Sequence, residues 1–214
     1  MDILRDAKFL VLLPALVGFL RVGVRRQGWT RWMGLLMVIV VGLEGWCYWL
    51  SSQQRSNTLY YDLYMPVEFV LLCAVIWEIA GRKTKVRTQL LIGLCIVLTV
   101  FTFETSHNGG FAQFNTNTLI IGGFCLTVLS GLGLFRLLEQ PEPLIRLPEF
   151  WALLSITAYF IGIIPVFGLY NYLAERSSEL ASDLIHMNDV LYVVRYGMVS
   201  VAFFLASGRD LRLR

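Results

Sequence analysis

Charge is scarce in this chain of 214 residues. Asp, Glu, Lys and Arg make up 15% of it, where an ordinary soluble domain has about a quarter. Histidine occurs only at His107 and His186, lysine only at Lys8, Lys83 and Lys85, and cysteine only at Cys47, Cys73, Cys95 and Cys125. Each shortage excludes something. Two histidines cannot build a histidine-rich intramembrane zinc hydrolase. With no lysine in the last apolar stretch, 184–206, a retinal Schiff base there is excluded. The cysteines are not spaced as CxxC and all fall in apolar stretches, which argues against a disulfide framework or a zinc site and reads as buried thiols acting as small apolar residues. A Walker loop, a GxGxxG turn and an HExxH helix are all missing. No cofactor and no metal are expected.

Hydrophobic residues supply 57% of the chain, and the mean hydropathy is +0.64. This excludes a disordered chain, a nucleic-acid-binding domain and a typical soluble enzyme, and points to a polytopic membrane protein. A span needs roughly 20 mostly apolar residues, and seven such segments stand out, at about 5–22, 30–52, 59–80, 87–105, 114–137, 149–172 and 184–206. The expectation is a single all-α transmembrane domain of seven helices, or six if the first does not span. The first segment is the weak one: its uninterrupted apolar core, from Phe9 to Leu20, is short, and Lys8 and Arg21 would have to snorkel to the two interfaces. The opening residues carry Asp2 and Asp6, and the first apolar run ends in Arg21, Arg25 and Arg26, so it does not read as a cleaved leader.

The basic residues set the expected orientation. Arg21, Arg25, Arg26 and Arg31 follow segment one; Arg82, Lys83, Lys85 and Arg87 follow segment three; Arg136 and Arg146 follow segment five; Arg209, Arg212 and Arg214 close the chain. The opposite side has Arg5, Lys8, Arg55 and Arg176. The positive-inside rule then places the N-terminus outside and the C-terminus in the cytoplasm. The loop 138–148, with Pro141, Pro143 and Pro148, reads as a stiff connector, and Ser106–Gly110 as a turn. Trp46, Trp49, Tyr60, Tyr61 and Tyr64 gather where an outer aromatic belt would lie. Gly123, Thr127 and Gly131 form a small-residue stripe that serves close packing inside the bundle or a homo-oligomer seam.

Ionisable residues in hydrocarbon cost at least about 2.5–3.5 kcal/mol, so the few present need a reason. Glu44, Glu68 and Arg195 lie about eight, nine and eleven residues from the outer ends of segments two, three and seven, which is roughly 12, 14 and 17 Å of helix. They therefore share a layer in the outer half of the membrane. Tyr61, Tyr64, Met65 and Glu68 recur on one face of segment three, and Asn188, Tyr192 and Arg195 on one face of segment seven, beside His186 and Asp189. Asp62 and Asn117 lie nearer the outer ends, and Pro66 frees the carbonyl of Asp62 from its helical bond. Two readings stay open: an outward-facing polar pocket for a small ligand or ion, and an interhelical lock that fixes the bundle.

Two stretches carry a family resemblance, Asn57–Leu72 (NTLYYDLYMPVEFVLL) and Ile185–Tyr192 (IHMNDVLY). The first resembles the Asn, Tyr, Leu-Tyr, Glu-Phe signature of a group of small, uncharacterised bacterial seven-helix membrane proteins, and the second resembles that group's last-helix Asn, Tyr motif. Length and segment spacing are similar as well. The resemblance implies a signalling context, with Tyr64, Glu68, Asn188 and Tyr192 as the shared positions. The leading expectation is a non-enzymatic receptor-like or signalling accessory protein of a bacterial inner membrane, with a protein partner on the cytoplasmic side. The alternatives are an ion-coupled carrier and a structural subunit of a membrane complex.

Overall fold

The computed structural model describes residues 3–22, 28–80, 84–108, 110, 114–174, 176 and 178–212. Among them are seven α-helices: α1 (Ile3–Val22), α2 (Gly28–Ser52), α3 (Thr58–Ile79), α4 (Thr84–His107), α5 (Thr116–Leu137), α6 (Pro148–Ala174) and α7 (Ser178–Arg212). Helices α2 to α7 each hold a stretch long and apolar enough to cross a membrane, whereas the apolar part of α1 is the shorter Leu10–Val22. Six such helices suggest a multi-pass membrane protein in a lipid environment. Arg25, Arg26, Arg82, Lys83 and Arg214, which weigh in the expected orientation, lie outside the described residues, as does Gly109 of the expected turn.

Each helix packs on the next in sequence, and α7 returns to α1, so the bundle is a closed ring with α3 leaning inward onto α5 and α6. The core follows from helical periodicity. In α1, Leu12, Ala15, Phe19 and Val22 are buried while Leu10, Leu13, Val17 and Leu20 face outward, the three-and-four spacing of one helix face against the other. The outward face is as apolar as the inward one, as hydrocarbon requires. The α1–α7 contact is close: the Phe19 and Phe203 rings lie 5.8 Å apart, and Trp29 of α2 stacks on Phe203 at 6.2 Å. A side chain at Gly34 would run into the Phe19 ring, so this glycine is what lets α1 approach α2.

Boundaries of α4 and α7 differ from expectation. Helix α7 runs six residues past the expected stretch at each end, from Ser178 to Arg212, because polar residues continue the helix beyond the apolar stretch that hydropathy detects. Helix α4 runs through His107, whose ring stacks on Phe103. The turn begins only at Asn108, and Gly110, at φ +93°, donates its N–H to the Thr105 carbonyl. The proline loop forms a single 3-10 turn, Leu144–Arg146, pinned by Trp151 Nε1 donating to the Ile145 carbonyl at 2.9 Å. The small-residue seam is also displaced. Gly123 meets Phe160, Ser130 bonds Thr157 at 2.8 Å and Gly133 meets Leu153, all on α6, whereas Gly131 faces open space. Cys47 and Cys73 are buried, but Cys95 is exposed on the outer surface of the ring, so the buried-thiol reading fails there.

Helix α2 ends in a Schellman arrangement. The Gln54 N–H donates to the Ser51 carbonyl and the Arg55 N–H to the Leu50 carbonyl, both at 3.0 Å, with Gln54 held at φ 56°. Glycine is the residue that takes this conformation without Cβ strain. Gln54→Gly is therefore expected to stabilise the protein by about 1 kcal/mol, read as a rise in the thermal unfolding midpoint in detergent.

Candidate functional site

The ring brings Glu68 of α3 and Arg195 of α7 into direct contact, with Nη1 2.5 Å from Glu68 Oε1 and both residues buried. Around the guanidinium stand aromatic rings. Its carbon lies 4.6 Å from the Tyr159 centroid, 5.3 Å from Tyr196 and 5.6 Å from Phe160. A buried guanidinium against ring faces gains cation–π attraction in addition to its ion pair. Tyr64 lies within electrostatic reach of both members of the pair, and Tyr192 of Arg195. The Tyr192 and Tyr196 rings pack at 4.5 Å, and the Tyr159 hydroxyl donates to Asn188 Oδ1 at 3.5 Å.

Glu44 stands beside this group. It is half-buried and accepts the Tyr61 hydroxyl at 3.4 Å. The aromatic belt thereby divides: Trp46, Trp49 and Tyr60 pack together toward the outside, while Tyr61 and Tyr64 turn to the polar layer. His186 buries Nδ1 with no hydrogen-bond partner among the described residues, and Asp189 is buried one turn further along α7.

Asp62 and Asn117 belong to a second cluster, where α3, α4 and α5 meet. Glu104 of α4 organises it. Its Oε1 accepts the Asn117 backbone N–H at 2.9 Å and the Asn117 side-chain amide at 3.1 Å. Its Oε2 accepts the Thr118 N–H and the Thr118 hydroxyl, each at 2.7 Å. The first turn of a helix leaves N–H groups without intrahelical partners and carries a partial positive charge. Glu104 supplies from a neighbouring helix the cap that α5 lacks, since its N-cap residue, Asn115, makes no side-chain cap bond. Asn115 is spent on its neighbours instead: its N–H goes to Asp62 Oδ1 at 3.1 Å and its Nδ2 to Thr105 at 3.0 Å. Asp62 is fully buried, and its other oxygen has no hydrogen-bond partner among the described residues.

Sequence reasoning missed Glu104, Tyr159, Phe160 and Tyr196. Glu104 carried a signal, being an acid inside an apolar segment, but its partners are backbone amides that no spacing displays. The rings around Arg195 look like ordinary apolar filling until the ring of helices sets them on its guanidinium.

A cavity of about 20 Å³ separates α3, α4, α5 and α6, with Glu68 and Thr118 among its lining residues. Among the described residues no group of three metal-ligating side chains occurs. No family model, curated protein or solved structure matches the chain.

Proposed function

We propose that the chain is a seven-span bacterial inner-membrane protein with its N-terminus outside, acting as a receptor-like or signalling accessory protein. The orientation rests on 13 basic residues at the cytoplasmic ends against four at the outer ends. The spanning role of α1 is supported by its place in the ring between α2 and α7. The observation that carries the functional reading is the buried Glu68–Arg195 tie between α3 and α7, next to the half-buried Glu44. An ionic tie between two helices is an element with two natural states, made and broken, which a ligand reaching the outer polar layer between α2, α3 and α7 could bias. The signalling half of the reading comes from the resemblance of the Asn57–Leu72 and Ile185–Tyr192 stretches. A cytoplasmic protein partner would receive the output through the basic loops.

The competing reading is an ion-coupled carrier, which the cavity beside Glu68 favours. A proton gradient imposed across proteoliposomes separates the two. The receptor-like reading expects decay no faster than in empty liposomes. Proton flux that Glu68→Gln abolishes would transfer the assignment to a carrier.

A further inference from the structure

We propose that Glu104 and Glu68 are linked by a proton relay running through the Thr118 hydroxyl and one water molecule in the cavity between α3, α4, α5 and α6. The proposal is independent of any ligand or partner. The cavity, at about 20 Å³, exceeds the roughly 10–15 Å³ that one water needs. Glu68 and Thr118 both line it, so a water there has a polar group on either side; the rest of the lining, including Phe69, Val97 and Phe160, is apolar. The Thr118 hydroxyl already donates to Glu104 Oε2 at 2.7 Å, which leaves its oxygen free to accept from that water. Glu104, itself buried, sits near the end of α4 and bonds the exposed Asn117, which gives the relay its route to the surface of the protein.

The transfer balances without any other reactant. When Glu104 takes up a proton, the Thr118 hydroxyl turns from Glu104 to the water, so that the Glu104 carboxyl proton passes to the Thr118 oxygen while the Thr118 hydroxyl proton passes to the water. One water proton then passes to the Glu68 carboxylate. Only O–H bonds form and break, and the net change is one proton moved from Glu104 to Glu68. The groups around Glu68 define what that proton does. Arg195 and Tyr196 face it from α7, Tyr159 from α6, Thr118 from α5 across the cavity, and Tyr64 from its own helix, while Glu44 of α2 and Tyr192 of α7 lie one step out, within reach of Tyr159 and Tyr196. Arg195 is the one cation in this set. A neutral Glu68 no longer attracts it as a carboxylate does, so the relay would convert acidity at the Glu104 end of the bundle into a slackened α3–α7 tie.

The test is a pH drop on the full chain in lipid nanodiscs, followed by time-resolved infrared absorption. The Glu68 carboxylic-acid band is identified as the one that E68Q removes or, should that variant not fold, that E68D shifts. Two variants interrupt the path while leaving the pair intact. Thr118→Val removes the hydroxyl but keeps the backbone N–H on Glu104. Gly122→Ala puts a methyl into the cavity, where it meets Phe69 and Val97 at 3.5 and 3.6 Å, ordinary contact distances. Each is expected to slow the rise of the band by about tenfold, the effect of losing one hydrogen bond from the path, with its final amplitude unchanged. A rise at the wild-type rate in either variant, or the lack of any band assignable to Glu68, would overturn the relay.

Discussion

Arg195→Met is expected to lower stability by about 3–5 kcal/mol, because removing one partner of a buried ion pair strands the other. Glu68 would be left in an apolar interior, with Tyr159, Phe160 and Tyr196 arranged around a cation that is gone. The double replacement, Glu68→Met with Arg195→Met, should recover most of the loss, since two apolar side chains of similar volume avoid the desolvation of both charges. The measurement is the midpoint of thermal or detergent-induced unfolding for the wild type, both single variants and the double variant. A single-variant loss under about 1 kcal/mol would mean that the pair behaves as a solvated surface bridge does, at odds with its burial. The recovery matters as much as the loss. A double variant that is stable but lacks the activity proposed above would assign the charges to function, and one that is stable and keeps it would assign them to the fold.

Glu104→Ala is the second large effect, expected to cost about 3 kcal/mol, as hydrogen bonds to a charged group are worth about 1.5–3 kcal/mol each and the stranded N–H groups are costly. Four donors lose their acceptor at once: the N–H groups of Asn117 and Thr118, the Asn117 amide and the Thr118 hydroxyl. Glu104→Gln should recover about half of the loss, because an amide keeps one accepting oxygen and replaces the other with a donor. Amide hydrogen exchange localises the damage. Asn117 and Thr118 should exchange faster in Glu104→Ala while the middle of α5 stays protected. Uniform loss of protection along α5 would instead make Glu104 a packing residue.

The apolar periodicity of the sequence marks where α2, α3, α5 and α6 lie to within two residues at each end, because hydrocarbon length and helix length are the same constraint there. It understates α7, where helix continues past the hydrocarbon on polar residues that hydropathy cannot see. Helix rise alone gives Glu44, Glu68 and Arg195 one expected depth, and the contact of Arg195 with Glu68 accords with it for that pair. Their division was not legible: depth does not say that Arg195 meets Glu68 while Glu44 meets Tyr61, since this depends on how the helices are rotated and which of them adjoin. The small-residue stripe shows the same limit. Small residues on α5 signal close packing, but Ser130 and Gly133, not Gly131, complete the seam, because the α6 neighbour selects the face.

In the α1–α7 seam, Phe19 and Arg21 near the end of α1 lie against Phe203 and Phe204 in the later part of α7. Nearly the whole chain separates Phe19 from Phe203. During synthesis this seam must be the last to form. Until α7 is made, the Phe19 face of α1 has no partner on that side, and Glu68 waits in α3 without Arg195. A chain halted before α7 would therefore carry both an unzipped flank and an unmatched carboxylate, two features by which a membrane quality-control system could tell an unfinished copy from a finished one.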